Sequence, residues 1–357
     1  MDFAQKKIRA FMRFVFVTRN FNHSGFAALN RLIDEGIEIA AVVVPEEGVI
    51  HPIALQLAKF FYSIEVWFYR CAGIRNFSSE IALARRNRIR VIRTPTMESK
   101  SFQGELQKLN LDLIVLGGGW PGLIPKSVLG IPKFGCLNTH PSILPSFRGT
   151  SITRWQIFHG VHRSGTTIHV IDETFDTGRI LAQRAIEVSS DQTPQGLFRD
   201  LGDLGATLLG ELLRLDPVEI FKTEQKVVRD WECEEYFPKW NYLAHFEKID
   251  WTMGLKKAHQ SIMANTQESF KYTGPFVATE YGEYFVRKSS LMTERPSINR
   301  QANVLSGLNG IEQYWTDIEE FILWCPNEMF ALRIDIVQKC ERFRLRRSYI
   351  PKNTWLK

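Results

Sequence analysis

A chain of 357 residues with 44% hydrophobic content can bury one large core and a second, smaller one, and is not a disordered or fibrous sequence. Its net charge of +6 is modest and gathers in "ARRNRIRVIR" (84–93) and "KCERFRLRRSYIPK" (339–352), runs that serve as solvated faces or attract a phosphate-bearing substrate. Five scattered cysteines without CxxC spacing exclude a disulfide frame and argue against a metal site, so the sequence reads as a reduced, cytoplasmic protein.

The start, "MDFAQKKIRAFMRF", lacks the apolar core of a secretory signal. "RFVFVT" (13–18) is a short apolar run ending in polar residues, the pattern of a buried strand. Phe26, Leu29, Leu32 and Ile33 then recur at helical spacing up to Gly36, and "IEIAAVVV" (37–44) is a second strand. Strand, helix and strand in so short a span predict a βαβ unit and a parallel sheet. Residues 45–89 form an atypical insertion whose aromatic helix 57–70 packs on a core, covers the site or meets a second copy in a homodimer, and 53–69 is its most apolar segment. Lys59 and Glu65 make that segment too charged, and its length too short, for a membrane span.

Further strands are predicted at 90–94, 111–118, 135–140 and 166–172. A long amphipathic helix over 195–215 carries Leu197, Leu201, Leu204, Leu208 and Leu212 on one side. These elements define an α/β, Rossmann-like domain over 1–221, followed by a polar linker (222–244). A small β-rich domain (245–357) has hairpins expected to turn at Tyr281-Gly282 and Pro326-Asn327.

The chemistry concentrates in "NTHPSILPSFRG" (138–149). Ligands of open parallel sheets bind beyond the carboxyl ends of strands. Asn138 and His140, two apart on a strand, point to one side. Asn supplies an amide donor for a developing oxyanion, and His accepts a proton near neutral pH. Pro141 and Pro145 stiffen the loop that follows. "DETFDTG" (172–178) offers Asp172, Glu173 and Asp176 as a third member, with Gly178 for a tight turn. No GxSxG elbow is present, Ser142 stabilises its loop, and Cys136 packs, so the set suits acyl transfer without a covalent nucleophile. Gly117, Gly118 and Gly119 lack the GxGxxG pattern of a dinucleotide site and instead let backbone approach a flat ring.

"NTHPSILPSFRG" followed by "FDTG" resembles the signature of the 10-formyltetrahydrofolate-dependent formyltransferases, a family that includes glycinamide ribonucleotide, methionyl-tRNA and amino-sugar N-formyltransferases. The resemblance runs over residues 12–215 and is sharpest over 111–181. It implies that Asn138, His140 and Asp176 form the catalytic triad. It also implies that the pterin of 10-formyltetrahydrofolate lies against Gly117, Gly118, Gly119, Trp120 and Ile124 and against Asp172 and Phe175. "KIDWTMGLKKAHQSIMA", with the hairpin after it, resembles the opening of the OB-like C-terminal domain of methionyl-tRNA formyltransferases.

The expected reaction is formyl transfer to a primary amine. Methionyl-tRNA formyltransferases carry a basic, Gly-rich insertion after the second strand, where this chain has the acidic and apolar "VVVPEEGVIHP". A nucleotide-linked amino sugar is therefore the favoured acceptor, ahead of methionyl-tRNA and of amino-acid or carrier-bound amines. Two other classes stay open: a hydrolase passing the formyl group to water, and a non-catalytic folate-binding relative.

Overall fold

The structure, a computed structural model, describes residues 12–20, 22–46, 79–120, 122–222, 235–240, 249, 251–266, 276–279, 282–293, 312–315, 320–325 and 330–339. The aromatic segment 53–69, most of the linker, the basic C-terminal run beyond Lys339 and the turn residues Tyr281, Pro326 and Asn327 lie outside them. The chain divides into two compact units. One comprises Met1–Arg148, Gly165–Ala185 and Phe198–Glu235, and the other Gly149–Ser164, Ile186–Leu197 and Tyr236–Lys357.

The first unit is built on a seven-stranded sheet: β1 (Phe14–Thr18), β2 (Ile39–Pro45), β3 (Val91–Thr94), β4 (Leu113–Gly118), β5 (Cys136–His140), β7 (Arg163–Val170) and β8 (Ile180–Glu187), in the order β3-β2-β1-β4-β5-β7-β8. The short β6 (Arg148–Gly149) pairs instead with β9 (Tyr236–Phe237). Strands β1 to β5 run parallel to one another. Their unbroken apolar runs reflect burial on both faces: Phe14 and Phe16 join one hydrophobic cluster, Val15 and Val17 the other.

Helix α1 (His23–Asp34) starts on the Asn22 side chain, which accepts from the Gly25 amide at 3.0 Å, and stops before Gly36, whose φ of 68° is left-handed. Helix α2 (Glu80–Arg86) leads into the edge strand β3, and α3 (Lys100–Lys108) covers Ile92 and Ile114 with Phe102 and Leu106. Helix α4 (Lys126–Leu129) is a single turn. Helices α5 (Ile152–His159) and α6 (Pro194–Leu213) flank the β7–β8 pair in sequence.

Two features depart from the sequence reading. The sheet is mixed, because β7 runs antiparallel to β5, and strand β8 had no counterpart among the predicted elements. The chain between β5 and β7, through β6 and the helix Ile152–His159, brings β7 back alongside β5 in the opposite direction, and the short connection after β7 sets β8 beside it at the edge of the sheet.

In the second unit, α7 (Leu255–Asn265) precedes a five-stranded sheet of β10 (Phe276–Thr279), β11 (Gly282–Met292), β12 (Glu312–Trp315), β13 (Glu320–Cys325) and β14 (Phe330–Lys339), ordered β10-β11-β14-β13-β12. Every pairing is antiparallel, and two of them are the expected hairpins β10–β11 and β13–β14. Among the described residues these pairings form a five-stranded antiparallel sheet.

Candidate active site

Asn138 and His140 occupy the carboxyl half of β5, central in the first unit's sheet. Their partners across the strand are His169 and Thr167 of antiparallel β7. The chain leaves β7 beside Leu137 and turns back through Asp176, whose φ of 55° is left-handed. That return is possible because residue 178 is glycine: a Cβ there would stand 1.8 Å from the Val170 carbonyl oxygen.

The three residues proposed as a triad are brought together, and a fourth joins them. Asp176 Oδ1 lies 3.4 Å from His140 Nδ1, 3.5 Å from His169 Nε2, and accepts from Asn138 Nδ2 at 3.4 Å. Asn138 Nδ2 also meets His169 Nε2 at 3.1 Å. His140 and His169 are buried, and the Asp176 side chain is only 10% exposed. His169 was not singled out from sequence. The signal available was its place in "TTIHVID", on the strand leading to the acidic loop, but which strand it would face is a matter of pairing.

The loop after β5 has an assignable task. The Phe147 carbonyl, held by a residue with φ of 57°, returns to His140 Nε2 at 2.8 Å. A carbonyl can only accept, so Nε2 carries the ring hydrogen and Nδ1 presents its lone pair towards Asp176. The Phe147 carbonyl thus sets the tautomer. The loop is pinned on its other side by Thr167, whose hydroxyl donates to the Ser142 carbonyl at 2.7 Å and accepts from the Leu144 amide at 3.1 Å. Gln183 donates to the Leu144 carbonyl at 2.7 Å, and the Ser142 hydroxyl donates to the Ser146 carbonyl at 2.7 Å. Ser142 is fully buried and serves its loop.

Burial pushes the His140 imidazole below its usual pKa, and the His169 ring acts in the same direction; the Asp176 carboxylate and the Phe147 carbonyl oppose it. His140 is accordingly held neutral and ready to accept a proton. Cys136, on the same strand, is buried, and its thiol is pushed up to about 12. It packs.

The residues assigned to the pterin are placed differently from one another. Gly117 and Gly118 are buried at the end of β4, where the missing side chains make room for the Phe16 ring and for Thr18 and Gly25. Gly119 and Gly122, in contrast, have positive φ (71° and 145°) and nothing within 4 Å of the Cβ position. Ile124 is buried in the hydrophobic cluster on one side of the sheet, and Trp120 packs partly against it. Asp172 accepts from the Thr174 amide at 3.0 Å and from the Thr177 hydroxyl at 2.8 Å, so its carboxylate ties the 172–177 loop together. Phe175 is 38% exposed. Among the described residues the space a side chain would take is thus open at Gly119 and Gly122 and filled at Gly117 and Gly118.

The arginine-rich run falls at the other end of the sheet. Arg85 and Arg86 close α2, Arg88 has φ of 59°, and the Arg90 carbonyl accepts from the Val42 amide at the amino end of β3. All of the parallel strands point away from that end towards Asn138 and His140. Among the described residues no helix is long and apolar enough to cross a membrane.

A mostly parallel sheet with a buried Asn–His–Asp cluster at the carboxyl half of a central strand defines an acyl-transfer type of site. Comparison with known proteins sharpens this. The formyl transferase family model matches residues 74–213. The methionyl-tRNA formyltransferase of Nitrosospira multiformis is 30% identical over 244 residues, which are 67% of this chain and 68% of that protein. That of Caldanaerobacter subterraneus is 30% identical over 189 residues, 52% of this chain and 54% of its own length, so the chain spans about half of that relative. Among solved structures, the N-formyltransferase from Helicobacter canadensis, complexed with folinic acid and dTDP-3-aminofucose, superposes with a TM-score of 0.58. Its identity is 17%, covering 90% of this chain and 99% of that one. The sugar 3N-formyl transferase WlaRD, solved with dTDP and 5-N-formyl-THF, gives 0.57 at 16% identity, covering 92% and 99%. At such identities the likeness is one of fold. The chain belongs to the 10-formyltetrahydrofolate-dependent formyltransferase family.

Proposed function

We propose that the protein transfers the formyl group of 10-formyltetrahydrofolate to a primary amine, in the cytoplasm, with a nucleotide-linked amino sugar as the acceptor. The observation that carries the reaction type is the convergence of Asn138, His140 and His169 on the Asp176 carboxylate. His140 Nδ1, unprotonated and buried, takes the proton as the amine attacks the formyl carbon. The Nδ1–H so formed faces Asp176 Oδ1, which stabilises the imidazolium. Asn138 keeps its shorter bond to His169 and turns the hydrogen of its longer, weaker contact with Asp176 to the developing oxyanion. The proton returns from His140 to the departing nitrogen. The open backbone at Gly119 and Gly122, with Phe175 exposed nearby in the acidic loop, fits a flat pterin; we place it there, and give Gly117 and Gly118 a packing role.

Two observations support a sugar over tRNA. The segment after β2 is acidic and apolar, and residues 84–90 of the basic run precede β3 at the amino end of the parallel strands, away from Asn138 and His140. Methionyl-tRNA is the second reading, favoured by the name of the Nitrosospira relative. We assign the chemistry to residues 1–221 and leave 245–357 as an accessory domain.

The test is tetrahydrofolate release by the full chain with 10-formyltetrahydrofolate and, in parallel, a dTDP-linked amino sugar, methionyl-tRNA, hydroxyornithine or no amine. Turnover only with the sugar is expected. Turnover confined to the charged tRNA establishes the second reading, and equal turnover without amine makes the protein a hydrolase. Folate binding without turnover under any condition marks a non-catalytic relative.

A further inference from the structure

We propose that His169 is a positioning residue for this transfer: its unprotonated Nε2 holds the Asn138 amide in the orientation that leaves one N–H for the oxyanion, and protonation of His169 releases that amide. The proposal rests on the formyl-transfer reading above. Its argument begins with the ring itself. His169 Nδ1 lies 2.9 Å from the Val170 carbonyl oxygen, which can only accept, so Nδ1 carries the hydrogen and Nε2 the lone pair. The Asn138 side-chain nitrogen has two hydrogens and two neighbours, His169 Nε2 at 3.1 Å and Asp176 Oδ1 at 3.4 Å. Both neighbours are acceptors, and that settles which end of the amide is nitrogen. Because β5 and β7 pair Asn138 directly with His169, the shorter bond is imposed by strand register, whereas the longer one depends on a loop.

The titratable groups facing the ring are the Asp176 carboxylate, at 3.5 Å, and the His140 ring, edge-on with centroids 6.4 Å apart. If Nε2 gains a proton it can no longer accept from Asn138. It opposes the amide hydrogen and donates to Asp176 instead. Asn138 then loses the bond that fixes its plane, and Asp176 acquires a second cationic partner in competition with His140. Loss of activity in acid therefore has two sources, protonation of the base and release of the oxyanion donor.

The experiment compares wild type with His169→Phe, which keeps a ring but no acceptor, and His169→Gln, whose carbonyl can accept from Asn138 without titrating. His169→Phe is expected to lower kcat by roughly ten- to a hundredfold, the scale of misplacing a reacting group, while the KM for the folate changes by less than about twofold. His169→Gln should recover a large part of that loss. Its acid limb of kcat/KM should involve about one proton where wild type involves about two, since only His140 then titrates. A readout independent of activity is the side-chain amide resonance pair of Asn138 in ¹⁵N-labelled protein. It should move more in wild type as pH falls than in His169→Gln, where only the effect of His140 through Asp176 remains.

An Asn138 amide that titrates identically in wild type and His169→Gln overturns the proposal, as does a kcat for His169→Phe within about twofold of wild type. If His169→Phe does not fold, the Gln variant and the wild-type titration decide the matter. If wild type transfers formyl to no amine, the functional reading fails, and the Asn138 resonances still confirm or reject the contact on which this inference stands.

Discussion

Asp176→Asn separates charge from geometry at the centre of the site. Asn keeps the size of the side chain and removes the charge that lies 3.4 Å from His140 Nδ1. With an effective dielectric constant of about 20, a full ion pair at that distance is worth about 5 kcal/mol. This is a ceiling, because the Asn dipole retains part of the interaction. Dividing by the 1.36 kcal/mol of each decade in rate sets an upper limit of roughly three to four decades. The usual scale of an acid–base contribution sets a floor of about two decades. We therefore expect kcat to fall between about a hundredfold and a few thousandfold, with the folate KM changed by less than about threefold. The direction of the pH dependence is also determined. Asp176 raises the His140 pKa against the effect of burial, so removing its charge should move the acid limb of kcat/KM to lower pH even as the rate drops. The assay is initial-rate tetrahydrofolate release between pH 5 and 8.5, for the single variants and for Asp176→Asn combined with His140→Ala. Groups that act as a unit are non-additive, so the double variant should lose little more than either single one. Fully additive losses, or an acid limb displaced to higher pH, would show that Asp176 does not work through His140.

Four further outcomes are expected. In wild type the acid limb should lie below the ordinary imidazole value of about 6.5, because burial is the largest influence on His140; His140→Asn should abolish both the limb and the activity. The same depressed pKa has a consequence for stability: below about pH 6.5 the unfolded chain binds a proton that the folded one refuses, so stability falls as pH drops through that window. Between pH 7 and 5 the urea midpoint of wild type should therefore fall more steeply than that of His140→Asn. Thr167→Val keeps the shape but strands the buried Leu144 amide and Ser142 carbonyl, and should cost about 1–3 kcal/mol in urea unfolding. Cys136, with its thiol pushed up to about 12, should resist alkylation at pH 8 in native protein and react on unfolding, as read by mass spectrometry of its peptide.

Much of this protein was legible before any coordinates. Runs such as "RFVFVT" and "LDLIVLGG" are apolar at every position because central parallel strands are covered on both faces, so their identity as strands could be read locally. Asn138 and His140 are two apart on one strand, and the period of two fixes their common side without reference to anything distant. Other features were decided by contacts between residues remote in sequence. The direction of β7 depends on how the chain returns from β5, not on its composition, and that direction pairs His169 with Asn138. The tautomer of His140 depends on where the Phe147 carbonyl ends, which Thr167 and Gln183 determine from strands β7 and β8. A glycine run reads alike whether its absent side chains admit a ligand or a neighbouring ring. Only packing shows that Phe16 fills the space at Gly117 while Gly119 stays open. Local patterning determines which residues are strands and which side they show, because it is written in nearest-neighbour periodicity; the partners across the sheet are set by register and loop return, which no single segment encodes.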